Sequence, residues 1–456
     1  MIALLAAAVY VGSSACTPCH SGIARKYAQA SMAQSSGRFR NGVVPGGFRH
    51  EASGVEYRMS ASGQVSMHRG ERSSSRQFRF FIGSSSKGRS YLVEENGFLY
   101  QAPVTWYERQ KRWDSSPGFE RDTVSRWSRP VDPSCLYCHA SQSQPVKATL
   151  NRYRDPPFLQ DGIGCERCHG PGSDHVQGKG KSVNPTKLDP VRRDAVCAQC
   201  HLSGEARVEA AGLRIEDYRP GELLSDFVSY FVFEDRRSGL KATSHVEKLS
   251  LSRCKQRSGD KLWCGTCHDP HGEPARQDRE KWHQARCETC HNNQECRRGP
   301  DCASCHMPKA TAVDGGHGVL TDHSIPRRAQ RVGFAQAAAW KLIPFSGGPP
   351  SDRDLGLAYA EVFLRSGDNR QAVRAIGLLE NRDLDPPAMV RLAVLYQRMD
   401  KPDRALGLYR KVLEADPDNY FALANLAMIV ASRGGLVEAV PMWKRALLHN
   451  PCSEEI

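Results

Sequence analysis

Cys135-Leu-Tyr-Cys138-His139, Cys165-Glu-Arg-Cys168-His169, Cys197-Ala-Gln-Cys200-His201, Cys264-Gly-Thr-Cys267-His268, Cys287-Glu-Thr-Cys290-His291 and Cys302-Ala-Ser-Cys305-His306 follow one another between residues 135 and 306. A seventh copy, Cys16-Thr-Pro-Cys19-His20, stands near the start. Each is Cys-x-x-Cys-His, the attachment signature of a c-type haem. Two thiols bond to the haem vinyl groups and the adjacent imidazole reaches the iron. With 17 Cys and 16 His in 456 residues, chance supplies about 0.02 copies. Zinc sites use Cys-x-x-Cys pairs too, but they do not need a histidine directly after every pair, so zinc is the weaker reading. The expected cofactors are seven covalently attached haem c groups.

The spacing of the motifs sets the physics of the segment. Only ten residues separate His291 from Cys302. Such short spacers cannot enclose an apolar core of their own, so the porphyrins are expected to serve as core. The formal charge of +13 invites nucleic acid as a partner. Seven haems bring two propionates each, about −14 if all ionise, which cancels that charge. The Lys and Arg are read as propionate partners, and nucleic-acid binding is not expected.

Fourteen of the 17 cysteines belong to the motifs; Cys254, Cys296 and Cys452 remain. A Cys254–Cys296 disulfide and two separate thiols are both open readings. Haem is attached to such chains outside the bacterial cytoplasmic membrane, so export to the periplasm or beyond is expected. The apolar run Ile2 to Val9 suits the core of a signal peptide and is too short to span a bilayer. It lacks a preceding Lys or Arg, a departure from the usual leader. No other stretch reads as transmembrane.

The expected fold is mainly α. Residues 1–9 are a signal-peptide remnant. Residues 10–130 carry the first haem, a helix over Ile23 to Met32 and a small β-rich module. That module is marked by aromatic and β-branched runs at Phe48–Met59, Gln64–His68, Phe78–Ile82 and Tyr91–Tyr107. Trp106, Tyr107 and Trp113 are read as core. Residues 131–330 form a haem-cored domain with six haems, in which Phe227–Phe233 is a short strand or a wedge. Residues 331–352, rich in Pro and Gly toward their end, read as a linker. Over 353–456, Ala360, Ala393 and Ala427 recur at 33 and 34 residues, as do Ala372, Ala405 and Ala439, and Pro417 and Pro451 are 34 apart. The pattern resembles about three tetratricopeptide repeats, an α-helical solenoid of paired helices. No capping helix follows Pro451, so the last apolar face needs cover from the haem domain, a partner or a second copy.

Nine histidines lie outside the motifs. His449 reads as a surface residue. The expected sixth ligands are His50, His68, His175, His245, His271, His317 and His323, with His283 and Met32 as alternatives to His68. Near-equality of candidates and irons favours bis-histidine haems, six-coordinate and suited to electron transfer. His271 follows His268 too closely to ligate the same iron from the other side, and is expected to bind a different haem. His175 stands in the same relation to His169.

Several blocks resemble a family of exported multihaem cytochromes c fused to tetratricopeptide repeats, similar in their haem part to the tetrahaem cytochrome and hydroxylamine-oxidoreductase-like superfamily. They are Tyr10-Val-Gly-Ser13, Ile82-Gly-Ser84 with Gly88-Arg-Ser-Tyr-Leu92, Trp106-Tyr107 and Ser116-Pro-Gly-Phe119. The haem-binding blocks are Gly164–Gly172 with His175, Cys267-His-Asp-Pro-His271, and Cys305-His-Met-Pro308 with Thr321-Asp-His323. Lys87 departs from the family, standing where His is expected, and no Cys-x-x-Cys-Lys is present. The resemblance implies a heptahaem electron carrier that docks redox partners through its repeats. Two other readings stay open: an oxidoreductase with one open haem acting on nitrite, hydroxylamine or a sulfur oxyanion, and a self-associating haem-wire scaffold or filament subunit.

Overall fold

Alternation of apolar and polar residues builds the N-terminal module. In Val55-Glu-Tyr-Arg-Met59 the first, third and fifth side chains are buried and the two between are exposed, the period-2 pattern of a half-buried strand. The computed structural model describes residues 9–40, 42–84, 87–124, 126–235, 239–291, 301–327 and 340–453. Strands β1 (Ser36–Arg38), β2 (Gly46–His50), β3 (Val55–Met59), β4 (Gln64–Arg69), β5 (Arg72–Ser84), β6 (Gly88–Glu95), β7 (Phe98–Tyr107) and β8 (Arg112–Ser115) make one antiparallel sheet. They follow sequence order from β2 to β8, with β1 paired to β5. The sheet curls until β2 and β8 lie side by side. Trp113 Nε1 donates to Val44 O at 2.8 Å across that seam. Tyr107 and Trp113 are buried, and Trp113 packs on Phe78, Tyr91 and Trp106.

Short helices joined by irregular chain carry the motifs. Pro133–His139, Glu166–His169, Pro190–His201, Cys264–Cys267 and Cys302–His306 are helical, Arg279–Glu288 leads into the sixth motif, and Ser21–Tyr27 follows the first. The expected helix over Ile23 to Met32 is thus earlier and shorter. A three-stranded sheet of Ala206–Glu209, Val228–Phe233 and Leu342–Pro344 backs this region. The apolar run at 227–233 is therefore a strand, and the expected linker over 331–352 contains a strand of that sheet, Leu342–Pro344.

Six helices follow, Asp352–Ser366, Asn369–Leu379, Pro386–Arg398, Pro402–Ala415, Tyr420–Ser432 and Leu436–His449, joined in three hairpins by loops of a few residues. Ala360, Ala372, Ala393, Ala405, Ala427 and Ala439 are all fully buried, because a methyl group lets two helices approach closely. Both ends of the helical unit are held. At its start, Ala358 and Val362 share a core with Ala206, Val208 and Phe231. There Arg353 bonds Asp385 through two nitrogens (2.8 and 2.7 Å) and also reaches Glu209 O. At its finish, Tyr100 Oη donates to Asn450 Oδ1 at 3.1 Å, and the His449 ring bonds Ala148 O. The cover required after Pro451 is supplied in part by the β module. The chain is accordingly mixed α and β rather than mainly α. Among the described residues no helix is long and apolar enough to cross a membrane.

Candidate haem-binding site

Each motif folds as a helical turn. The amide of the motif histidine bonds the carbonyl of the first cysteine at 2.9–3.0 Å in the first, third, fifth and sixth copies, and the other three motif histidines end helices. One turn brings cysteines at i and i+3 to the same side, with the histidine at i+4 beside them.

Thiols of different motifs meet. Cys16 contacts Cys165, Cys138 contacts Cys200, Cys197 contacts Cys264, and Cys287 contacts Cys302. Cys168 lies within electrostatic reach of Cys197 and Cys200, and Cys267 of Cys287 and Cys290. In space the motifs run first, third, fourth, fifth, sixth, seventh, with the second attached to the fourth as a spur. The described cysteines form no disulfide. Burial pushes Cys135 up to about 12, Cys168 to about 11 and Cys287 to about 11. These sulfurs favour a neutral form, which a thioether is.

The histidines supply the test of whether haem fits. A metal–imidazole bond is about 2 Å, so two imidazoles on opposite sides of one ion place their ring centroids about 6 Å apart. His20 and His175 stand 6.3 Å apart, His169 and His271 5.9 Å at 8° between planes, and His268 and His323 6.2 Å. In each pair one ring belongs to a motif and the other comes from a distant part of the chain. His268 also meets His283 at 5.6 Å, and His201 meets His245 at 5.1 Å. Proton positions agree with the fit. Nδ1 of His169, His306 and His323 faces Val183 O (2.8 Å), Pro326 O (2.9 Å) and Thr321 O (3.0 Å). A carbonyl there fixes the proton on Nδ1 and leaves the Nε2 lone pair for a metal. Burial pushes His139 and His201 down to about 4, so both rings are neutral donors. Their Nδ1 atoms, and that of His245, are buried without a hydrogen-bond partner. Among the described residues no three His, Cys, Asp or Glu side chains converge on a point where a lone ion could sit.

Three expected ligands are otherwise engaged. His50 is buried in the β module with Nδ1 on Ser53 Oγ (2.7 Å) and Nε2 on Glu120 O (3.2 Å), so both ring nitrogens are used. His68 turns Nε2 to Ser66 Oγ on β4, and His317 holds Asp114 Oδ2 at 2.9 Å with Arg112 beside it. Each sits on a polar partner that strand geometry supplies, which spacing along the sequence does not reveal. His283, an alternative on sequence grounds, is instead packed on a motif histidine. The Met32 carbonyl accepts from Ile163 N, a backbone bond that does not involve the thioether. Cys254 lies 3.9 Å from His291 Nε2, while Cys296 falls outside the described residues. Sequence reading also passed over Glu166, inside the third motif. Its buried carboxylate accepts from the amides of Val11, Gly12 and Gly172 at 2.7–2.9 Å and pins the first haem segment to the third.

Comparison with known proteins agrees with this site. The family model described as cytochrome c554 and c-prime matches residues 105–170, which include the second and third motifs. Multiheme cytochrome MtrA of Shewanella baltica (strain OS185) is 24% identical over 184 residues, 37% of this chain and 54% of that protein. The chain thus spans about half the length of that curated relative. Among solved structures, the outer cell wall cytochrome OcwA aligns over 96% of this chain and 99% of its own at 14% identity, with a TM-score of 0.47. MamA aligns over 21% of this chain and 59% of its own at 23% identity, with a TM-score of 0.17. Seven attachment motifs, imidazoles paired at iron-spanning distance and these sequence matches give the chain a site for several c-type haems, similar to that of multihaem cytochromes c.

Proposed function

We propose that the protein is a heptahaem electron carrier that works outside the cytoplasmic membrane. Haem iron supplies one-electron redox chemistry at each site. The polypeptide holds the sites in sequence and sets their surroundings. The observation that carries this reading is the series of motif thiols from Cys16 to Cys302, each motif in contact with the next or within electrostatic reach of it. His175 is assigned opposite His20, His271 opposite His169, and His323 opposite His268, while His245 and His283 serve neighbouring irons. The terminal helices are read as three tetratricopeptide repeats that dock a redox protein.

Haem quantitation of material matured with haem, combined with a spectroscopic redox titration, tests the proposal. Seven haems per chain titrating over a broad, multi-step range are expected. Fewer than seven, or one isolated step, would refute it.

One observation favours a second reading. With His50, His68, His317 and His449 engaged elsewhere, five non-motif histidines remain for seven irons. At least two irons therefore lack a second histidine from this chain, and an open one would bind a small ligand such as nitrite, hydroxylamine or a sulfur oxyanion. Carbon monoxide added to the reduced protein separates the readings. A shift in a fraction of the haem favours an open site, and no shift rejects it.

A further inference from the structure

The loop that carries His271 is held by the segment that follows the first motif. Lys26, on the helix Ser21–Tyr27, lies across that loop. A Cβ added at Gly272 would stand 2.6 Å from Lys26 Cε and 2.7 Å from its Cγ, so glycine there leaves room for the lysine stem. The Lys26 ammonium pairs with Asp269 Oδ2. On the other side of the histidine, Glu273 Oε1 accepts from Ser31 N at 3.2 Å, while Oε2 bonds Arg279 at 2.6 Å. Residues 26 and 31 thus grip the loop on both sides of His271.

The Asp269 carboxylate stands between this lysine and the histidine. Its Oδ1 accepts from His271 N at 2.9 Å. The same oxygen lies 3.9 Å from His271 Nδ1, in ion-pair rather than hydrogen-bond range. Other imidazoles of the site turn Nδ1 to a neutral carbonyl: His169 to Val183 O, His306 to Pro326 O and His323 to Thr321 O. On the Nδ1 side of His271 stands a full negative charge. Such a charge raises the basicity of the other ring nitrogen, and the Lys26 ammonium offsets part of it.

We propose that Asp269 is the positioning residue of His271, the ligand assigned to the haem of Cys165, Cys168 and His169, and that Lys26 sets how much of its charge the ring feels. The proposal rests on the assignment of His271 opposite His169, whose rings stand 5.9 Å apart. A more basic Nε2 favours the higher oxidation state, so the pair sets the potential of one haem among the seven. The alternative role for Asp269 is a turn cap that only accepts from His271 N. Asparagine fills that role through its own side-chain oxygen and carries no charge, so it separates the two.

The test is a spectroscopic redox titration of the haem-loaded full chain, with haem content checked on every variant. His271→Ala comes first, because the step that moves in it belongs to this haem. If His271→Ala yields no new carbon-monoxide-reactive haem, the ligand assignment fails and the proposal falls with it. Asp269→Asn should raise that one step and leave the others in place; a tenfold loss of preference for the oxidised state is about 59 mV. Lys26→Met should lower the same step, because the carboxylate keeps its bond to His271 N and loses the cation that offsets it. The low-spin electron paramagnetic resonance signal of one haem should shift in both variants at unchanged carbon-monoxide reactivity. Every step unmoved in Asp269→Asn makes Asp269 a turn cap and overturns the proposal. Variants that move different steps, or the same step in the same direction, overturn it as well.

Discussion

Replacing Tyr100 by Phe removes one oxygen atom from the seam between the helical unit and the β module. Tyr100 is 1% exposed and Asn450 4%. The phenol donates to Asn450 Oδ1 at 3.1 Å and accepts from Cys452 N at 3.3 Å. Asn450 Nδ2 in turn reaches Tyr420 Oη, which bonds Ser453 Oγ at 2.7 Å. Phenylalanine keeps the ring and its packing, so the loss is confined to hydrogen bonding. One net bond is worth about 1 kcal/mol, and an acceptor and a donor left buried without partners add about 1–2 kcal/mol more. A loss of about 2–3 kcal/mol at the seam raises the local opening equilibrium roughly 30- to 140-fold. Hydrogen–deuterium exchange measures it directly, since slow amides report opening free energy segment by segment. Exchange should quicken in Leu436–His449 and Tyr420–Ser432 and stay unchanged in Asp352–Ser366, which packs at the far end. The haem spectrum should not move. Unaltered exchange in the last two helices would mean that the helical unit is not held at this end, and the account of how the final hairpin is covered would fail.

Glu166→Gln keeps the shape of the side chain but turns an amide donor toward one of the three backbone N–H groups now bonded to the carboxylate. The expected cost is about 1–3 kcal/mol, read as faster proteolytic cleavage between residues 9 and 20 at unchanged haem content. His271→Ala should create one new carbon-monoxide-reactive haem, because its ring stands 5.9 Å from His169; a spectrum identical to wild type would reassign that pair. A chain made without haem attachment should lose the structure of residues 131–330 and keep the six terminal helices. Protease digestion followed by mass spectrometry should then recover a resistant fragment beginning after residue 327, and a resistant 131–330 fragment would contradict the haem-as-core argument.

The parts of this molecule that were legible in the sequence are those with a fixed local period. Cys-x-x-Cys-His needs only one helical turn, so seven attachment sites could be read without knowing the fold. The alanines at 33- and 34-residue spacing located the helical hairpins because each small residue answers one steric demand, close approach of two helices. Alternation located β3, and aromatic runs located β7. Sixth ligands are another matter. A distal histidine is defined by what it faces in space, and nothing local separates His271, stacked on His169, from His317, bonded to Asp114. His50 looked like a donor and proved to be capped on both nitrogens by Ser53 and Glu120. The strand Leu342–Pro344 was hidden for a related reason: three residues pair only because Val228–Phe233 offers an edge. Proline and glycine just after it masked even that.

The order of motifs along the chain is not their order in space, and the histidine pairings match that exchange. His175 trails the third motif yet faces the first, and His271 trails the fifth yet faces the third. Each such histidine ties the motif it follows to the one it faces, so an iron bound between them joins two segments that are far apart in sequence. The peptide between motifs is too short and too polar to hold those segments together alone. The second, sixth and seventh motifs show no such histidine pairing among the described residues, and the second stands off the series. It meets the series through Cys138 and Cys200, and no second imidazole packs on His139 among the described residues. It lies between the β module and the fourth motif, with Cys135 and Leu136 packed against Phe80, Leu92 and Leu99. The β module thus packs against the haem-binding segment where the series branches.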